Sequence, residues 1–166
     1  MTSDASQQYP SSQEIEHRPA VCRQTREEHD SLLDAMQQLE AALACAAPGR
    51  EDPWNEQVRV RLRAVADAIA AHVNSAEGRD GLFAEIESYD PNLEFRTNKL
   101  RREHAELLQQ AQILQQLVDR RGKQETHSFQ DVRKVSMRLL NALRNHQAAE
   151  ADLVFEAFFT DLGVGD

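Results

Sequence analysis

The sequence predicts an all-α protein, an up-down-up-down four-helix bundle. Four long stretches carry apolar residues at intervals of three and four, turn signals separate them, and strand signals are absent. The first helix runs from about Thr25 to Ala46 and stops at Ala47-Pro48-Gly49. The second opens at Asp52-Pro53, a capping residue followed by proline at the first helical position, and lasts to about Glu77. Gly78 and Gly81 interrupt the chain there, and a short apolar piece, LFAEI, follows. Asp90-Pro91 repeats the start signal for a third helix ending near Gly122, and Ser128 with Asp131 resembles a capping box for a fourth ending near Gly163. Residues 1–24 are polar and without periodicity, which predicts a flexible N-terminal arm ahead of a single bundle over 25–166.

At 166 residues the chain is long enough for one domain with a substantial core. A formal net charge of −9 argues against nonspecific nucleic-acid binding and against an anionic membrane surface, since both need a basic face. No apolar run approaches bilayer length, and the first twenty residues lack a basic start and apolar middle. A cytoplasmic protein is expected. Cys22 and Cys45 stand at opposite ends of the first helix, so no disulfide between them is expected. The alternating RVRLR at 59–63 reads as a solvated helix face.

Each inward stripe carries one histidine. The stripes are Thr25, His29, Leu32, Met36, Leu39, Leu43; then Val58, Leu62, Val65, Ile69, His72, Ala76. Next come Leu93, Leu100, His104, Leu107, Ala111, Leu114; and last Val132, Val135, Leu139, Leu143, His146, Glu150, Leu153. In antiparallel neighbours, residues at one height lie symmetrically about the link between them. Midway between His29 and His72 the chain reads PGRED; midway between His104 and His146 it reads GKQETH; midway between His72 and His104 lies the break after the second helix. All four imidazoles are therefore expected at one level. Buried imidazoles need partners for their lone pairs, and a cation supplies one. Imidazole with carboxylate suits iron, manganese or zinc, and Glu150, one turn beyond His146, adds an anionic oxygen.

A histidine, an acid and then Leu-Phe in AHVNSAEGRDGLFAEI resemble HQAAEADLVF near the C-terminus, although Glu77 follows His72 by five residues rather than four. A π-bulge at that point would return Glu77 to the histidine's face; Asp80 and Glu85 are the substitutes. With one inward histidine per helix and this repeated motif, residues 25–162 resemble the hemerythrin-like, or HHE cation-binding, domain family. The resemblance implies a di-iron centre with carboxylate and oxo or hydroxo bridges that binds dioxygen or another small diatomic ligand. On matching positions it implies that His29, His72, His104 and His146 are terminal ligands and that Glu150 and Glu77 are bridging carboxylates. Leu108 stands where oxygen-carrying members place a further histidine. A carrier, sensor or scavenger is expected rather than an enzyme. The alternatives are an enzyme acting on peroxide or nitric oxide at the same centre, and a metal-free structural bundle.

Overall fold

The structure is a computed structural model that describes residues 12–45, 49, 51–121 and 129–159. Among the described residues it is all-helical: α1 (Ser12–Ala44), α2 (Glu51–Ala76), α3 (Leu82–Tyr89), α4 (Glu94–Arg121) and α5 (Phe129–Phe159), with a 3-10 turn, Pro91–Leu93, leading into α4. Among those residues no helix is long and apolar enough to cross a membrane. The four long helices pack in sequence, α1 on α2, α2 on α4 and α4 on α5, and α5 returns to α1.

Local chemistry explains the helix starts. Glu51 and Asp52 place carboxylates in the first turn of α2, where they meet the positive end of the helix dipole. Ahead of it, Gly49 turns the chain with φ at 81°, a conformation that costs glycine little, and its amide donates to Glu51. Asp90 accepts from the Asn92 amide at 2.9 Å and caps the 3-10 turn, with Pro91 following as the sequence predicts. Ser128, the cap expected for the last helix, lies outside the described residues.

α1 starts earlier than the sequence suggests, so part of the expected arm is helical from Ser12 onward. The apolar period cannot show this, because the extension is held by a few tertiary contacts. Val21 is buried with Ala76, Leu82 and Phe83, and Gln24 donates to the Ser75 hydroxyl at 2.8 Å. Residues 1–11 lie outside the described residues.

The apolar core forms two clusters. One contains Leu32, Met36, Ile69, Leu107 and Leu143; the other contains Val21, Ala76, Phe83, Leu100 and Leu153. Along all four long helices the inward histidine falls between a residue of one cluster and a residue of the other. A polar layer thus divides the interior, which is costly unless its groups find partners.

The turn between α2 and α3 brings two backbone segments close together. A Cβ on Gly81 would lie 2.1 Å from the Ser75 carbonyl oxygen and 2.8 Å from that of Ala76. Gly81→Ala is therefore expected to destabilise the fold by about 2 kcal/mol, a fall of roughly 4–8 °C in melting midpoint. An unchanged midpoint in a thermal melt would show that this close approach is not needed.

Candidate metal centre

The long helices bring five donor side chains together. His72 on α2, His104 on α4, and His146 and Glu150 on α5 are buried, and one donor atom from each lies within 4.8 Å of all the others. His29 on α1 joins at the edge, with 19% of its side chain exposed. Ring centroids are 5.3 Å apart for His29 and His72, 5.0 Å for His72 and His104, and 4.5 Å for His104 and His146. The four histidines do share one level. Glu150 Oε2 is the hub, with the Nε2 atoms of His72, His29 and His146 at 3.0, 3.2 and 3.6 Å.

His29, His72 and His146 present Nε2 to this hub, His104 Nε2 lies 3.2 Å from His72 Nε2, and His104 and His146 turn Nδ1 outward. His104 Nδ1 lies 2.7 Å from Glu77 Oε1, and His146 Nδ1 lies 3.0 Å from Glu103 Oε2. An ionised carboxylate only accepts, so each of these imidazoles carries its proton on Nδ1 when neutral, and a lone pair remains on Nε2. At His146 that lone pair faces the Glu150 oxygen. His146 Nε2, His72 Nδ1 and Glu150 Oε1 are buried with no hydrogen-bond partner among the described residues. A lone pair aimed at an anionic oxygen repels it, and a cation between the two converts the repulsion into coordination.

The electrostatics agree. Burial, then the proximity of His146 and His72, pushes the His104 imidazole down to about 3, so it is neutral and ready to donate its lone pair at ordinary pH. Burial acts to raise the Glu150 carboxyl, but the adjacent His146, His29 and His72 hold it well below the usual carboxylate range. Glu150 is thus a fully buried anion close to the neutral His104 ring. Phe83 stacks on His104 with ring centroids 5.4 Å apart, and Arg101, held by Glu87, lies over the Phe83 ring at 5.3 Å from its centroid.

Glu77 occupies a different place from the one its motif suggests. Its amide bonds to the Val73 carbonyl at 2.9 Å, four residues back, which is ordinary α geometry rather than a π-bulge. Its carboxylate meets the outer edge of His104, and burial raises its pKa against the opposing pull of Arg101 and His72. Among the described residues the cluster of converging donors includes neither Glu77, Asp80 nor Glu85. Leu108 is half-buried against the apolar core, so α4 supplies one imidazole. The side chain of His17, and all of His127, lie outside the described residues.

Two acids escaped the sequence reading. Glu103 bonds His146, and Glu28 stands 3.8 Å from His72 Nδ1. Both belong to a repeated pair, Glu28-His29 and Glu103-His104. One residue before an inward histidine, a side chain is rotated by about 100° toward the seam with the next helix. Each acid accordingly lies nearer the histidine of a neighbouring helix, Glu103 hydrogen-bonding it and Glu28 standing at longer range.

The donors present fit a metal ion: imidazole nitrogen and carboxylate oxygen, buried, with unpartnered atoms around one point. The chemical nature of the donors admits iron, manganese and zinc alike. Searches of protein-family models, curated proteins and solved structures find no match to this chain, so the hemerythrin-like resemblance stands on the residues described above.

Proposed function

We propose that this chain is a non-haem iron protein, hemerythrin-like in arrangement, that binds dioxygen or a related small diatomic ligand as a carrier, sensor or scavenger. The observation that carries the reading is the convergence of three buried imidazoles and the Glu150 carboxylate within 4.8 Å, with donor atoms left unpartnered. The packing of α1 on α2, α2 on α4, α4 on α5 and α5 on α1 suits an up-down-up-down bundle, the scaffold that the resemblance implies.

Iron is the metal of this proposal because imidazole with carboxylate supports both ferrous and ferric states, and bound iron supplies reversible electron donation to a small ligand. The chain's own residues bind and shield it. Leu32, Met36, Ile69, Leu107 and Leu143 are buried in the apolar cluster on one side of the polar layer, and Phe83 and Leu153 in the cluster on the other. These residues limit water and offer no acid or base to move protons, which favours ligand binding over turnover. A reducing cytoplasm suits Cys22 and Cys45, which form no disulfide among the described residues.

Mixing iron-loaded, reduced protein with oxygenated buffer in a stopped-flow spectrometer tests the proposal. A visible absorption change that reverses on deoxygenation is expected. No oxygen-dependent change, or sustained consumption of peroxide or nitric oxide instead, counts against ligand binding as the function.

A further inference from the structure

The family resemblance implies Glu77 as a bridge between two irons, yet the carboxylates around the centre fall into two groups. Glu150 is fully buried among the Nε2 atoms. Glu77 and Glu103 are 32% and 30% exposed, and each stands behind an imidazole, between the ring and solvent. They take the same part at two different rings, Glu77 at His104 and Glu103 at His146, at 2.7 and 3.0 Å from Nδ1.

From this division we infer that Glu77 and Glu103 are positioning residues rather than ligands, and that the centre takes a single ion held by His72, His104, His146 and Glu150, with His29 at its edge. The inference rests on the proposed metal-binding function and deepens it. Accepting the Nδ1 proton fixes the tautomer, aims Nε2 inward and makes the ring a stronger donor. Glu28, at 3.8 Å from His72 Nδ1, stands in the equivalent place behind a third ring at longer range. Two outer carboxylates thus accept from two imidazoles, a third stands near His72 without a hydrogen bond, and the inner donors surround one point. With Leu108 on α4, no further imidazole from that helix completes a second ion's shell. The unpartnered Glu150 Oε1 lets that carboxylate bind the ion through one oxygen or both.

Cobalt(II), a spectroscopic probe for nitrogen and oxygen sites, separates the possibilities. Chelated full-length protein is titrated with cobalt(II), and the visible absorption gives both stoichiometry and coordination. One ion per chain is expected. Glu77→Ala and Glu103→Ala should keep that stoichiometry and the coordination spectrum while binding about 10- to 100-fold more weakly. Glu77→Gln, whose amide oxygen still accepts from Nδ1, should recover part of the loss, a rescue that a purely structural role would not produce. Both sites are surface-accessible, and melting of the chelated variants checks that they fold. Two cobalt ions per wild-type chain, with one lost in Glu77→Ala, would overturn the inference while leaving metal binding intact. No cobalt and no iron bound by the wild-type chain would overturn the metal-binding proposal itself.

Discussion

Replacing His104 with alanine is expected to remove most of the bound metal and to abolish the thermal stabilisation that metal confers. His104 brings a lone pair to the centre and is fixed at its outer edge by Glu77 at Nδ1 and on one face by the stacked Phe83. A ligand present at a thousand times its dissociation constant stabilises the native state by about 4 kcal/mol. In a chain of this size that corresponds to roughly 8–16 °C in melting midpoint. The metal-loaded wild type should melt higher than its chelated form by about this margin, and His104→Ala should show no difference between the two. His146→Ala and Glu150→Ala should behave alike, because each removes a donor from the same cluster. Metal analysis of protein purified without added metal, followed by melting with and without chelator, provides the measurement. A wild type that carries no metal, and melts identically with and without added iron, would falsify the reading.

The second large effect is acid lability of the metal-free protein. His104 is held down to about 3 in the folded state, against 6.5 for an ordinary imidazole. Below pH 6.5 the unfolded chain therefore takes up a proton that the folded chain refuses, and stability falls until the pH reaches the folded value. Each pH unit in that window is worth about 1.4 kcal/mol, so the loss between pH 6.5 and pH 5 is about 2 kcal/mol from this residue alone. Glu150 acts in the same direction at lower pH. Its carboxyl is held below the usual range, so its contribution is present above 4.5 and is lost as the pH falls further. Melting of chelated protein should drop by roughly 4–8 °C from pH 7.5 to pH 5. His104→Ala should flatten that dependence. The loaded protein should lose metal over the same range, because protons compete for the imidazole lone pairs. A midpoint independent of pH between 7.5 and 5 would show that His104 titrates normally in the folded chain.

Much of the interior follows from helical period. The inward stripe read for the second helix, Val58, Leu62, Val65, Ile69, His72 and Ala76, is buried throughout, and so is the third, from Leu93 to Leu114. In the last helix the agreement is broken at one place, where Val135 is half-buried and Ser136 is buried, its hydroxyl donating to the Val132 carbonyl at 2.7 Å. A serine able to satisfy its own hydroxyl within the helix fits a core position that hydropathy alone would deny it.

The sequence by itself determined that the chain is helical, which faces of its long helices are apolar, and that four histidines meet at one height with Glu150. Period and link length suffice for these, because they depend only on where each Cβ sits along and around a helix. Only the tertiary structure decided which nitrogen of each ring faces the centre, that Glu77 stands behind His104, and that Glu103 bonds and Glu28 approaches a histidine on a neighbouring helix. A glutamate side chain is long enough to cross the seam between two helices. Its destination therefore depends on how the neighbouring helix is rotated and how closely it packs, and neither is written in the spacing of residues along one chain segment.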